Sequence, residues 1–190
     1  QLHDITSRHQ AESQLHYFAF HDDLTGLANR HGFNERLEVA VEKSRLNAEQ
    51  RFAVLFLDLD RFKIVNDSLG QMAGNQLLRE VAQRLGTCVR PNDLVARLGG
   101  DEFAILLEDL HDPEWGQRVA QRVLEALSLP LAINGVEVVL GASVGITFSD
   151  LGYRMGDEVL RDADLAMYEA KAGGRGRVAL FDGTMHEKVA

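Results

Sequence analysis

The chain has 190 residues, 45% of them hydrophobic, which is enough to bury one sizeable core. Its 29 acidic and 20 basic residues give a net charge of −9, which excludes a general binder of nucleic-acid polymers but leaves room for a nucleotide held by local cations. No apolar stretch reaches the length of a membrane span, no signal peptide is visible, and the single cysteine, Cys88, can form no internal disulfide, all of which fits a cytoplasmic protein.

In chain order, a polar, helix-prone run comes first, over about residues 8–20, and its apolar positions Leu15 and Phe18 are too few to define a coiled coil. Phe33, Leu37, Ala40 and Val41 then fall at helical spacing. A strand is predicted near residues 52–58, followed by a helix through Leu77, Leu78, Val81, Ala82 and Leu85, and strands near 94–98 and 102–107. Val119, Ala120, Val123, Leu124 and Leu127 mark another amphipathic helix. Asn134-Gly135 signals a hairpin between Leu131–Ile133 and Val136–Leu140, and Ala142–Phe148 reads as one more strand. Leu160, Ala163, Met167 and Ala170 form the last helix, and Cys88 is expected as a small core residue. The order β-α-β-β-α-β predicts an α+β protein with a ferredoxin-like βαββαβ core and additions, a central, mostly antiparallel sheet flanked by helices.

Two acidic motifs stand out. Arg97-Leu98-Gly99-Gly100-Asp101-Glu102-Phe103 reads as a hairpin tip, where glycines permit a tight turn and a close approach by another molecule. Carboxylates beside such an opening can hold a hard cation, and a cation next to bare backbone suits a polyphosphate. Gly and Asp are also ordinary turn residues. The second motif follows the apolar run Phe52–Leu57, whose end at Asp58-Leu59-Asp60 places carboxylates at a sheet edge. Asp58 and Asp60 share a face, with Leu59 on the other. For Asp60, a functional role and a plain strand-terminating role are equally open.

Four blocks together resemble a GGDEF domain of the diguanylate cyclase family. They are His21-Asp22-Asp23-Leu24-Thr25-Gly26-Leu27-Ala28-Asn29-Arg30, then Asp58-Leu59-Asp60-Arg61-Phe62-Lys63-Ile64-Val65-Asn66-Asp67, then Gly99-Gly100-Asp101-Glu102-Phe103, and finally Asp162-Ala163-Asp164-Leu165-Ala166-Met167-Tyr168-Glu169-Ala170-Lys171. The resemblance covers about His21 to Val178. It implies a fold akin to polymerase palms and class III nucleotidyl cyclases. It implies condensation of two GTP into cyclic di-GMP with release of pyrophosphate, and two Mg²⁺ per site, with Mn²⁺ as a substitute.

Carried over position by position, the resemblance makes Asp58, Asp101 and the Leu59 carbonyl the metal ligands. Asp101 is also the proton acceptor, Glu102 an essential second carboxylate and Lys63 a phosphate-facing cation. Gly99 and Gly100 admit the nucleotide, Asn66 reads the base, and Lys171 and Arg175 bind the terminal phosphates. Read without the family, Lys171 is helix C-terminal charge before Gly173-Gly174. Each domain holds one GTP, so turnover requires a second GGDEF domain face to face with the first.

The base-reading segment departs from the family. Gln71 stands where a histidine is usual and Asn75 where an aspartate is usual. A carboxylate accepts from both N1–H and the 2-amino group of guanine, whereas an amide offers one acceptor and one donor. Arg90-Pro91-Asn92-Asp93 matches the position of the family's product-inhibition site, where Arg90 and Asp93 would grip cyclic di-GMP, with Arg118 or Arg122 of a neighbouring domain completing it. As a bare Arg-x-x-Asp pair it reads as a surface salt bridge.

Residues 1–20 are expected as a signalling or linker helix resembling the exit of a PAS sensor, 21–180 as the GGDEF domain, and 181–190 as a linker resembling the lead-in to an EAL phosphodiesterase domain. Two functions follow. Intact Asp58, Lys63, Asp101 and Glu102 favour an active cyclase, whereas Gln71, Asn75 and the EAL-like exit favour a regulatory module that binds GTP or cyclic di-GMP.

Overall fold

The computed structural model describes residues 2–186, so Gln1 and residues 187–190 of the expected exit linker lie outside the described residues. The elements run α1 (Leu2–Phe20), α2 (Arg30–Leu46), β1 (Ala53–Leu59), α3 (Phe62–Leu69), α4 (Gln71–Cys88), β2 (Leu94–Gly99), β3 (Glu102–Leu107), α5 (Pro113–Ser128), β4 (Leu131–Ile133), β5 (Val136–Val138), β6 (Ala142–Phe148), α6 (Gly156–Ala172) and β7 (Val178–Leu180).

β1 is buried along its whole length because helices cover both faces of the sheet it centres. Ala53, Leu55, Leu57 and Leu59 point into a core shared with α4, α5 and the β4–β5 hairpin. Val54 and Phe56 point the other way, into a core shared with α2 and α6. This two-sided burial is why the strand reads as a continuous apolar run.

The main sheet has the order β2-β3-β1-β6-β7. β3 is antiparallel to β2 and to β1, and β1 is antiparallel to β6, as a βαββαβ core requires. The expected ferredoxin-like α+β architecture is therefore present. Three local features extend the expectation. β7 adds a parallel edge strand on β6. The hairpin at Asn134-Gly135 forms with both residues at positive φ, but it stands apart from the main sheet and its second strand ends at Val138. The helical region after β1 is two helices, because Gly70 at φ +93 ends α3 before α4 starts.

Helix ends follow local chemistry. The Asn29 side chain accepts from Gly32 N at the start of α2, and Asp112 accepts from Glu114 N ahead of α5, whose first residue is Pro113. α6 lies on β6 with no side-chain spacer: a Cβ on Gly145 would overlap Ala163 O and Met167 N and lie 2.8 Å from Ala166 C. Among the described residues, no helix is long and apolar enough to cross a membrane.

Candidate active site

Asp58 lies near the end of β1, in register with Glu102 of β3 and Ser143 of β6. Its side chain is nearly buried on the α6 side of the sheet, where its Oδ2 accepts from Lys171 Nζ. Its Oδ1 is buried and has no partner. The hairpin tip read from the sequence brings Asp101 to the same edge. Gly99 and Gly100 take φ +148 and +50, the ladder shifts register between Arg97 and Gly99, and Leu59 N donates to Asp101 O at 3.3 Å.

The gathered carboxylates repel one another. Burial, then the neighbouring Asp58 carboxylate, push the Asp101 carboxyl up to about 7. Glu102 is raised by burial first and then by Asp58 and Asp164, against relief from Arg30 and Lys171. Asp164 is raised by burial, with Asp58 adding to the effect and Lys171 and Arg30 opposing it. Asp164 and Arg30, which lies 4.0 Å from Glu102, are members of the cluster that sequence reasoning quoted but gave no role. The signal was present: Asp164 precedes Lys171 by seven residues, two helical turns on one face of α6.

This donor set fits a divalent cation. An unpartnered, buried carboxylate oxygen and raised carboxyls are groups that a dication would satisfy and relieve. Among the described residues, no three His, Cys, Asp or Glu side chains stand close enough to hold a metal alone. The expected set of two carboxylates plus the Leu59 carbonyl suits Mg²⁺, which takes few protein ligands and completes its shell with water and phosphate oxygens.

Lys171 sits on Asp58 rather than out toward a phosphate, since an ammonium is the nearest cation able to balance a desolvated carboxylate. Asp60 resolves toward structure. It accepts from Ser143 Oγ at 2.6 Å and from Gly176 N at 3.1 Å, so it anchors the loop that carries Arg175, itself exposed at φ +63. Lys63 is exposed on the first turn of α3. Asn66 leans over Gly74, where a Cβ would overlap its Oδ1. Gly74 thus leaves room for the Asn66 amide, the next residue Asn75 is half-buried, and Gln71 stays exposed at the start of α4.

A second cluster lies at the other end of β2. Arg90 donates from N, Nε and an Nη to the Asp93 carboxylate at 2.9, 3.1 and 3.0 Å, and the same Nη donates to Glu108 O at 2.7 Å. The Asp93 side chain is fully buried. Its hydrogen bonds hold the Arg90 guanidinium still more firmly protonated. Arg90, Arg118 and Arg122 stand 5.6, 5.6 and 5.1 Å from the Trp115 ring centre. Both arginines considered for completing the site in a neighbouring domain therefore share one indole with Arg90.

Fold and site together define the class: a βαββαβ domain whose glycine turn and central strand end gather carboxylates at one sheet edge. Residues 19–177 match the family model "Diguanylate cyclase, GGDEF domain", and the chain belongs to the GGDEF family. It is 42% identical over 182 residues to "Probable diguanylate cyclase DgcE" of Escherichia coli K12, covering 95% of this chain and 16% of that protein. It is 40% identical over 171 residues to "Cyclic di-GMP phosphodiesterase NbdA" of Pseudomonas aeruginosa, covering 90% of this chain and 22% of that one. The chain thus spans about a sixth to a fifth of these relatives' length. Among solved structures, the GGDEF domain of PA1120 (TpbB or YfiN) from P. aeruginosa aligns with a TM-score of 0.85 at 38% identity, covering 89% of this chain and 98% of that one. The coiled coil and GGDEF domain of DgcB from Caulobacter crescentus, in complex with c-di-GMP, aligns with a TM-score of 0.84 at 28% identity, covering 94% of each chain.

Proposed function

We propose that this domain is a cytoplasmic diguanylate cyclase that condenses two GTP into cyclic di-GMP across a pair of domains. The observation that carries this reading is the meeting of Asp58, Asp101 and Glu102 at one sheet edge, with a buried Asp58 oxygen left unpartnered. In each half-reaction the 3′-oxygen of one GTP bonds to the α-phosphorus of the other and pyrophosphate leaves. The hydroxyl proton passes to Asp101, the carboxylate that the glycine turn carries to the same edge as Asp58. Asp58, Asp101 and the Leu59 carbonyl would hold Mg²⁺, which supplies Lewis-acid activation and neutralises phosphate charge. Lys63 faces the transferring phosphate, and Lys171 and Arg175 take the terminal phosphates, Lys171 moving off Asp58 to do so. α1 serves as the signalling helix, and residues from 181 onward lead toward a further domain.

Two features favour a second reading, a GTP- or cyclic di-GMP-binding module that regulates a phosphodiesterase. Asn75 and Gln71 replace the usual base-reading side chains, and a relative of this chain carries the phosphodiesterase name. Incubation at high protein concentration with GTP and Mg²⁺, the native chain beside a version fused to a dimerising coiled coil, separates the two. Cyclic di-GMP from either supports the cyclase, and none from the forced dimer supports the module.

Base recognition gives a finer test. Asn75→Asp restores a second acceptor for guanine and is expected to lower the KM for GTP about tenfold. An unchanged KM would remove Asn75 from the base site. ATP is expected to be a poor competitor in the same assay.

Product inhibition is the third element. Cyclic di-GMP is expected to inhibit turnover through Arg90 and Asp93, and Arg90→Ala to raise the inhibitory concentration at least about tenfold, the loss of a charge-assisted contact. Inhibition of equal strength in Arg90→Ala would dismiss the assignment.

A further inference from the structure

The turn that carries Asp101 is built from residues that cannot hold it. Gly99 and Gly100 have no side chains, both sit at positive φ, and the ladder is irregular on the β2 side. One side chain compensates. Arg97 Nε donates to the Gly100 carbonyl at 2.9 Å. That carbonyl belongs to the peptide plane whose nitrogen is Asp101's own, so the bond sets the direction in which Asp101 leaves the turn.

The other end of the same guanidinium is held from the α1 junction. Arg97 Nη1 donates to both carboxylate oxygens of Asp22, at 3.1 and 3.3 Å, and the two side chains are only 16% and 18% exposed. Asp22 is fixed in turn: its Oδ2 accepts from Thr25 N at 3.0 Å and Thr25 Oγ1 at 2.7 Å. Asn29 ties this turn to both helices, donating to Ala19 O at 3.1 Å and accepting from Gly32 N at 2.8 Å. The main chain follows the same line, with Arg97 N donating to Ala28 O at 2.9 Å.

We infer that Arg97 is a positioning residue for Asp101, and that Asp22 is the counter-charge that lets it report the placement of α1 to the carboxylate edge. The inference rests on reading that edge as a metal site. Neither residue touches the reacting atoms. An arginine is needed because its planar fork reaches Asp22 and Gly100 at once, whereas a lysine ammonium is a single point.

The test uses Mn²⁺ binding to the whole chain, followed by electron paramagnetic resonance, with amide resonances of Gly100 and Asp101 read in parallel. The parent is expected to bind Mn²⁺ at a site lost in Asp58→Asn. Arg97→Lys and Asp22→Asn are each expected to weaken that site by on the order of tenfold, the usual consequence of loosening a ligand's support. Both are expected to shift the Gly100 and Asp101 amides, and the double variant to bind no more weakly than Arg97→Lys. Parent-like affinity with unmoved amides in the two folded single variants would overturn the inference and leave the metal site standing. A parent with no Asp58-dependent Mn²⁺ site would overturn both.

Discussion

Asp101→Asn is expected to make no detectable cyclic di-GMP and, free of divalent metal at pH 8, to melt above the parent. The first half follows from the proposed role of Asp101 as proton acceptor and metal carboxylate, a loss of at least about 10²–10⁴-fold for the acid–base role alone. The second half follows from linkage. Asp101 is raised from an ordinary 3.8 to about 7, chiefly by burial and then by Asp58. A carboxyl raised on folding binds its proton more tightly in the native state. Native stability therefore falls as pH climbs from about 4 to 7 and stays lowered above that range. Asparagine carries no such penalty and can still donate to Asp58. Asp101 is only partly buried, so solvent reduces the gain below what the raised value suggests. The advantage is expected to vanish near pH 4. It is expected to reverse with added Mg²⁺, which binds and stabilises the parent alone. Melting curves at pH 4 and pH 8, with and without Mg²⁺, check each arm. A variant that melts below the parent at pH 8 without metal would mean that the carboxylates do not strain the fold.

Gly145→Ala is expected to be the most damaging single methyl group in the chain. A Cβ there overlaps Ala163 O and Met167 N, which are backbone atoms of a helix and cannot rotate aside. Relief requires α6 to lift from β6, a loss of about 3 kcal/mol or more and a fall of about 6–12 °C in melting temperature for a domain of this size. Gly86→Ala is the control. It lies on the exposed side of α4 with nothing within 4 Å of its added Cβ, and it is expected to be neutral or mildly stabilising. Equal melting of the two variants would refute the close approach. Lifting α6 also displaces Lys171 and Asp164 from the carboxylate edge as a unit, so any folded Gly145→Ala protein is expected to lose activity beyond its loss of stability.

What was legible in the sequence was local. The apolar run before Asp58, the glycine turn and the Asn134-Gly135 hairpin each carry their chemistry within a few residues, and each forms where expected. What was not legible depends on partners far along the chain. Asp60 looks like a possible ligand until Ser143 and Gly176, 83 and 116 residues away, are seen to occupy it. Lys171 looks like a helix-end charge until the sheet brings it to Asp58, 113 residues away. β7 has only three residues and depends on the edge of β6 for its pairing, so no periodicity could reveal it. α3 is hidden for another reason: it has only eight residues, none of them buried, too short a run for helical periodicity to betray it.

The setting of Trp115 has an optical consequence. It is the sole tryptophan of the chain, ringed by three guanidinium groups, and its buried Nε1 has no partner. Arg90 stands before the start of β2 and Gly99 ends it, so about 17 Å of strand separates the indole's neighbourhood from the carboxylate edge. Emission from this single indole then reports one end of the molecule only. On the assignments proposed above, cyclic di-GMP at Arg90 is expected to change that emission, and GTP at the carboxylate edge to leave it unchanged. A single fluorescence trace would then follow the accumulation of the inhibitor on the protein while turnover is still under way.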